Sequence, residues 1–540
     1  MKFSYRFATL AGSAAVLAFV SACNPDLNVT NPNAPDVARA IATPSDVRSL
    51  IGSSYNSVYL GMQGCYGGSC SPNPGVATGV MADVMTMAFG NFGARFNGQE
   101  PRLAYNNSSA ASDGTVASDP YDAMYGALGA ANDGLRAIKR GVPVKASNSA
   151  PDETPQFQAL AWLVQGMALG FESQVFDKGF VVTEDTEGTA TLVDYKAVRD
   201  AAIVSFNKAI AAAAGKSWTI PNEFTTASLT LSAANFTKMA NTMAARTLAY
   251  NARNATENAA TDWAKVLTYA NAGISSTAGG AAFDLQMTGD GGNTWFDLTK
   301  GYAELESWVR VDQRIIQEAD PTQPLVYSSA TPPARAQPAD LRFARGTPDA
   351  SGDIRQKGAD FWFINNIPFA VARGVYFFSQ WSHARYIEHS YEVDAPFLTT
   401  VPYVLRAEND LLIAEALIRT NGDLGRAATL INNTRVTRGG LPAVTAATPK
   451  NELLGAIFYE RDVELFDTGA GQGWFDRRRI DPTVTYNGLA IGNIWAGRGG
   501  SNLQKGTPRH LPLPAKELET LAMTVYTYGG NTPNPIFPEQ

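Results

Sequence analysis

Paired carboxylates are the first feature of this sequence that could carry out a reaction. Glu460 and Glu464 lie four residues apart in FYERDVELFD, so a helix would place both on one face. Two carboxyl groups at a suitable separation are the machinery of glycoside hydrolysis. The same spacing also suits ion pairs with Arg461 or with the run Asp476 to Arg479. We predict the structural role, because a chain with 50 acidic residues contains such pairs by chance.

Other catalytic and cofactor signatures are missing from the sequence. It contains no H-E-x-x-H, no G-x-S-x-G and no P-loop, and GAGQGW at 469–474 lacks the spacing of a dinucleotide loop. The stretches DTEGTATLVD and MTGDGGN hold acidic residues that could ligate calcium, although neither fits the EF-hand pattern. We therefore predict a protein that is not an enzyme and has no cofactor and no metal site, with calcium at these two loops as the alternative.

The amino terminus has the pattern of an export signal that ends at a cysteine. Lys2 and Arg6 precede about fourteen apolar or small residues, which is shorter than the roughly 20 that span a bilayer. Ser21 and Ala22 before Cys23 resemble the lipobox of bacterial lipoproteins, in which the thiol receives lipid. We predict a signal peptide at 1–22, acylation of Cys23 by chains such as palmitate, and a tether at 23–43. The alternative is an ordinary signal peptidase site.

The two remaining cysteines lie close together in CYGGSC. Cys65 and Cys70 could close a tight disulfide loop in an oxidising compartment, and the alternative is two free thiols. A metal site at these thiols is disfavoured, because the histidines, at 383, 389 and 510, are distant in sequence.

Charge and hydropathy argue against a nucleic-acid-binding protein and against a membrane-spanning helix after the signal. The chain has 540 residues, 43 basic and 50 acidic, and removal of the signal leaves 41 basic residues and a net charge of −9. Because no block is rich in Lys or Arg, nucleic acid is not the expected partner. No later segment approaches the roughly 18 uncharged apolar residues of a membrane helix.

Apolar residues recur at helical spacing in pairs of segments. The pairs favour antiparallel helices of a tetratricopeptide-type solenoid, with an ordinary helical bundle as the alternative. Between two of them, Asn421-Gly422-Asp423 supplies a left-handed turn position and an N-cap. The stripes fall in 160–171, 195–209, 236–248, 263–274, 404–418 and 424–431.

A loop-rich insertion, residues 277–400, interrupts this helical pattern. It is rich in Gly, Pro, Ser, Asp and aromatic residues, and a stretch of that length is more consistent with a packed, irregular subdomain that carries a surface. Aromatic rings give sugar or peptide ligands a large contact area at low entropic cost. We predict ligand contacts at the following rings, although core packing is the alternative for each: Trp295, Phe296, Trp308, Tyr376 and Trp381.

Several long stretches resemble the SusD/RagB family of outer-membrane nutrient-uptake lipoproteins. Their order and spacing agree with the family along about 480 residues. They read TPSDVRSLIGSSYNSVY, FQALAWLVQGMALGFESQVFDKGFVV, WAKVLTYANAGIS, VPYVLRAENDLLIAEALIRTNGDLGRAATLINNTRVTRGGLP, LLGAIFYERDVELFDTGAGQGWFDRRR and RHLPLPAKELE.

The resemblance implies a mainly α SusD-like domain at 44–540. Its helix-pair superhelix would span about 44–276 and 401–480, with the insertion as a ligand-binding subdomain and a carboxyl-terminal segment at 481–540. The sequence departs from the family pattern at FESQVFDKGFVV, and NPDLN after Cys23 has one acid only. Since the family's ligand contacts lie in variable loops, none carries over by motif.

The resemblance also implies a function. The protein would be anchored by lipid in the outer membrane at the cell surface, bind oligosaccharide or peptide, and act as a lid that delivers it to a SusC-like TonB-dependent transporter. The alternative is a lipid-anchored helix-pair scaffold that binds protein or peptide partners without nutrient capture.

Overall fold

The computed structural model describes most of the chain after the predicted tether. Cys23, Cys65, Cys70 and Tyr376, together with the predicted signal peptide, lie outside the described residues. Within those residues, no helix is both long and apolar enough to cross a bilayer. The described ranges are 43–64, 74–87, 97–98, 102–111, 114–226, 230–275, 281–327, 332–366, 378–391, 393–494 and 502–530.

Helices dominate the described chain, and its strands are short. The helices are α1 (Pro44–Gln63), α2 (Pro74–Met81), α3 (Thr115–Lys139), α4 (Thr154–Val175), α5 (Tyr195–Ala213), α6 (Ala233–Ala249), α7 (Ala255–Ala259), α8 (Trp263–Asn271), α9 (Leu298–Ala303), α10 (Gln313–Ala319), α11 (Arg406–Arg419), α12 (Leu424–Arg435), α13 (Lys450–Val463), α14 (Gln472–Arg477) and α15 (Ala515–Thr520). The strands are β1 (Met85–Met87), β2 (Lys178–Phe180), β3 (Leu192–Asp194), β4 (Leu285–Thr288), β5 (Val309–Val311), β6 (Phe361–Phe363), β7 (Trp381–His383) and β8 (Thr400–Val404).

The long helices pack in the order in which they occur along the chain. Helix α3 packs on α1 and α4, α4 on α5, α5 on α6, α6 on α8, α8 on α11, and α11 on α12 and α13. Each helix therefore buries its apolar stripe against its neighbours in the series. The predicted mainly α, helix-pair fold is confirmed.

Side-chain caps fix where several of these helices begin. Asp423 is the N-cap of α12 and accepts a hydrogen bond of 2.9 Å from the Arg426 amide, while Asn421 adopts a left-handed φ of 55°. The predicted connector is confirmed. The same kind of cap begins α5, α6, α8 and α9, at Asp194, Ser232, Asp262 and Asp297.

The insertion leaves the helical array between α8 and α11. Its two ends lie side by side, because β4 pairs antiparallel with β8 and places Leu285 opposite Val404. Within it, β6 pairs with β7, and β5 pairs with β1 from the amino-terminal part of the chain. The insertion is thus packed on the array at several places.

Buried charge joins the insertion to α13. The Arg342 guanidinium lies 2.6 Å from Asp340, 2.8 Å from Glu460 and 3.2 Å from Glu464. The Arg438 guanidinium of the helical array also forms an ion pair with the Glu464 carboxylate, at 2.6 Å. The structural role predicted for Glu460 and Glu464 is therefore observed. The predicted partners, Arg461 and the run 476–479, were wrong, because Arg342 and Arg438 occupy these carboxylates instead.

A second buried charge cluster holds the helices around Glu415. This α11 carboxylate binds Arg419 at 2.7 Å, Arg461 at 2.7 Å and Arg479 at 2.8 Å. Burial alone would raise the pKa of Glu415, but the guanidinium groups outweigh it and hold the pKa well below its usual range. Glu415 is therefore ionised at neutral pH and ties α11 to α13 and to the chain after α14.

We expect the change Glu415→Gln to lower the free energy of unfolding by roughly 3–5 kcal/mol, because it leaves buried guanidinium groups without their carboxylate. Denaturant unfolding followed by circular dichroism measures this loss. The control Glu187→Gln changes an exposed glutamate of a surface loop and should unfold at the wild-type denaturant concentration. Equal midpoints for both variants would contradict the role of Glu415.

Candidate ligand-binding surface

A connected row of five rings lies on the insertion, and we call it the aromatic surface. Its members are Trp308, Tyr302, Tyr391, Phe397 and Phe296. Trp308 stacks on Tyr302 with centroids 5.5 Å apart, and Tyr302 lies 5.4 Å from Tyr391. Tyr391 meets Phe397 edge-on at 4.7 Å, and Phe397 lies 5.8 Å from Phe296. The row therefore combines residues from both ends of the insertion.

Part of this row is open to solvent. Tyr391 is 44% exposed, Trp308 and Phe296 are partly exposed, and Leu398 beside the row is exposed. Tyr302 and Phe397 are buried beneath them. The outer rings can therefore receive the apolar face of a ligand while the inner two hold them in place.

Close backbone packing sets the position of these rings. Phe397 has a left-handed φ of 60°, and its carbonyl oxygen accepts a hydrogen bond of 3.0 Å from the Gly291 amide. Gly301 of α9 lies directly against the ring, because an added Cβ would come within 2.6 Å of Phe397 and 3.3 Å of Tyr391. Only a glycine at 301 leaves room for this arrangement.

Charged and hydrogen-bonding groups lie beside the aromatic surface. Glu306, two residues before Trp308, is bound by Arg355 at 2.8 Å. The Arg355 guanidinium also lies 5.7 Å from the ring centre of Trp362, another partly exposed ring of the insertion. Together these residues supply donors and acceptors next to apolar rings, which is the usual composition of a small-molecule site.

The predicted ligand contacts divide into two groups in the structure. Phe296 and Trp308 belong to the aromatic surface. Trp295 is only 5% exposed and lies 5.4 Å from the Tyr59 ring of α1, and Trp381 is 3% exposed and lies 5.3 Å from Phe343. The prediction for these two tryptophans is corrected: their polar sequence neighbours suggested exposure, but their rings pack in the core.

Sequence analysis did not assign Tyr391 and Phe397 to the ligand-binding surface. Tyr391 follows a short 3₁₀ turn at Ile387–His389, and Phe397 lies between Pro396 and Leu398 in an irregular stretch. Neither lies in a periodic pattern. The sequence signal that could have indicated them is that aromatic residues continue after Trp381 to the end of the insertion.

The acidic loops that could ligate calcium use their carboxylates within the protein. Asp290 accepts hydrogen bonds of 3.0 Å from the amides of Asn293, Thr294 and Trp295. Asp185 is exposed and pairs with Lys139 at 2.9 Å. In the described residues these side chains form ordinary turns and surface ion pairs.

One group among the described residues could hold a metal ion. Glu304, His383 and Asp467 each offer a ligand atom, and these atoms lie within 4.8 Å of one another in the interior. Burial lowers the pKa of His383 to about 3 and raises the pKa of Glu304 and of Asp467 well above their usual range. Sequence analysis missed the group because its members come from three separate segments.

A separate cleft of about 360 Å³ lies between helices of the array. Charged residues of both signs dominate its lining, in contrast to the rings of the insertion. They include Lys196, Arg199 and Asp200 of α5, Glu257 of α7, and Lys265 of α8.

Comparison of the sequence with models of known protein families gives a match in the carboxyl-terminal part of the chain. The model of the SusD family matches residues 400–528, which include α11 to α15. This part of the chain is similar to the SusD family. The resemblance to SusD/RagB proteins predicted from the sequence is therefore confirmed.

Solved structures show that the SusD fold extends over most of the chain. A SusD superfamily protein from Parabacteroides distasonis, 11% identical, aligns over 88% of this chain and 98% of its own with a TM-score of 0.59. A SusD homolog from the same organism, 14% identical, gives 0.57 over 88% and 93%. Surface glycan-binding protein A from Bacteroides uniformis, 15% identical, gives 0.53 over 89% and 99%. No curated protein matches the sequence.

We expect Gly301→Ala to disturb the aromatic surface of this SusD fold. The added methyl group clashes with Phe397, and overpacking of this kind costs about 1–3 kcal/mol. Near-ultraviolet circular dichroism should change, and the unfolding temperature should fall. The matched control is Gly129→Ala in α3, where an added Cβ meets no atom within 4 Å and helix propensity favours alanine. A control that is as destabilised as Gly301→Ala would contradict this interpretation.

Proposed function

We propose that this protein captures a nutrient, an oligosaccharide or a peptide, on the aromatic surface and delivers it as a lid to a SusC-like TonB-dependent transporter. The observation that carries the proposal is the row of partly exposed rings on the insertion of a SusD fold. Tyr391, Trp308 and Phe296 present their rings to solvent from a subdomain that the helical array supports.

The chemistry of the surface favours an oligosaccharide over a peptide. Sugar rings have apolar C–H faces that pack on aromatic rings and hydroxyl groups at their edges that need hydrogen-bond partners. Trp308 and Tyr391 supply rings, and Glu306 and Arg355 supply an acceptor and donors nearby. One structure with this fold is a surface glycan-binding protein, which agrees with this choice.

Binding without bond cleavage agrees with the state of the carboxylate pair. Glu460 and Glu464 are buried, and both are bound by Arg342. Carboxylates held in this way have no access to a substrate and cannot act as an acid and a base on it. This pair therefore gives no support to a glycosidase and agrees with a binding protein.

The location in the cell follows from the amino terminus in this proposal. Acylation of Cys23 would anchor the protein in the outer membrane at the cell surface, since each buried methylene of a lipid chain contributes about 0.8 kcal/mol. The tether at 23–43 would let the domain move against its transporter.

Replacement of the exposed rings tests nutrient capture. We expect Trp308→Ala and Tyr391→Ala each to weaken binding of a glycan, selected by screening the wild type on a glycan array, about tenfold, or roughly 1.4 kcal/mol. Isothermal titration calorimetry measures the affinity. The control is Trp218→Ala, which removes a partly buried tryptophan that packs on Phe236 in the helical array. Unchanged affinity in both ring variants would refute capture at this surface.

The lid role needs a test on the membrane-bound protein. We expect a tagged full-length chain, purified from detergent-solubilised outer membrane, to bring a TonB-dependent barrel with it in near-equal amount. Mass spectrometry identifies the partner. Recovery of soluble proteins alone would reject the lid and favour the second candidate.

The second candidate is a scaffold that binds protein or peptide partners in the cleft of the helical array. Its size of about 360 Å³ and its mixed charges suit a polar peptide segment. In this case Lys265→Glu in the cleft would weaken partner binding, whereas Trp308→Ala would not.

A further inference from the structure

A buried Glu-His-Asp group lies where the insertion meets the helical array. Glu304 follows α9, His383 ends β7, and Asp467 follows α13. A hydrogen bond of 2.5 Å joins His383 Nδ1 to Glu304 Oε1, and one ligand atom from each of the three residues lies within 4.8 Å of the others. Three segments that are distant along the chain thus converge on one point.

Several polar atoms of this group have no hydrogen-bond partner among the described residues. They are Glu304 Oε2, His383 Nε2 and both carboxylate oxygens of Asp467. Less than a tenth of each residue is exposed, so solvent does not satisfy these atoms. A buried polar atom without a partner costs free energy, and a concentration of them at one place indicates a missing ligand.

The basic residues near the group are already paired with other acids. Lys300 lies 2.8 Å from Asp297, and Arg385 lies 3.1 Å from Glu464. Neither Glu304 nor Asp467 has a lysine or arginine partner among the described residues. On metal binding, their deprotonated carboxylates would balance the charge of one divalent cation.

We propose that Glu304, His383 and Asp467 bind a divalent transition-metal ion of the zinc class, which fastens the insertion to the helical array. One imidazole with two carboxylates is a donor set for such ions, whereas calcium and magnesium prefer oxygen ligands alone. A cavity of about 30 Å³ borders Asp467 and has room for a water molecule.

A bound ion would hold together two parts of the fold near the aromatic surface. Glu304 lies two residues from Tyr302, which supports the exposed rings of the aromatic surface. A bound ion would fix the end of α9 against the chain after α13, and it would stabilise the folded state by its own binding free energy. This inference does not require that the surface binds a nutrient.

Zinc titration into the metal-free full chain tests the site. Cys65 and Cys70 are first reduced and alkylated so that they cannot bind the ion. We expect one equivalent of Zn²⁺ to bind and to raise the unfolding temperature, and Co²⁺ in its place to give the visible absorption of a low-symmetry site. Ca²⁺ and Mg²⁺ should compete poorly.

Two variants assign the ion to these residues. His383→Ala and Asp467→Asn should each weaken Zn²⁺ binding at least tenfold, and Asp467→Asn keeps the side-chain volume in case His383→Ala fails to fold. The control is His510→Ala, which removes another buried histidine, one that packs 4.2 Å from the Tyr528 ring. Absence of zinc binding, tight binding that survives both variants, or a preference for Ca²⁺ would each overturn the proposal.

Discussion

Arg342 joins the loop-rich insertion to the helical array through a buried ion-pair network. Its guanidinium group is shared between Asp340 of the insertion and Glu460 of α13, and all three residues are buried. Taking these charges out of water costs several kcal/mol, which only close and complete pairing offsets. The contact is therefore more important for fixing one relative position than for net stability.

The neighbouring contacts extend the same arrangement. Glu464 binds Arg385 of the insertion at 3.1 Å and Arg438 of the array at 2.6 Å, and Arg438 reaches Asp360 at 2.7 Å. Charges of both signs thus alternate across the boundary. A displacement of the insertion would leave several of them unpaired in the interior, which disfavours intermediate positions. A subdomain built from short strands and loops can hold a defined surface on this basis.

The helical part of the fold was predictable because its signals are local. The stripe in 404–418 repeats every three or four residues and the cap at Asp423 acts within the first turn of its helix, and the structure contains both. A periodic apolar stripe must be buried against something, so a series of such stripes implies a series of packed helices. That reasoning needs no knowledge of distant contacts.

The candidate site was less predictable because its contacts are long-range. Trp295 has polar neighbours in sequence, yet its ring packs between side chains of α1, far away along the chain. Glu460 pairs with Arg342, 118 residues away, and not with the adjacent Arg461. Phe296 and Trp308 were chosen only as members of an aromatic-rich stretch; both rings are partly exposed, and their contact with ligand stays a prediction. Which ring faces solvent is decided by the fold of the insertion as a whole.

The central claim is that ligand binds on the insertion and not in the helical array. Hydrogen–deuterium exchange of the full chain, with and without a glycan that binds it, tests this claim directly. We predict slower exchange on binding in 296–308, 355–362 and 391–398, with little change in 196–200 and 257–265. Protection confined to the cleft segments 196–200 and 257–265 would contradict the account and identify the array as the binding site.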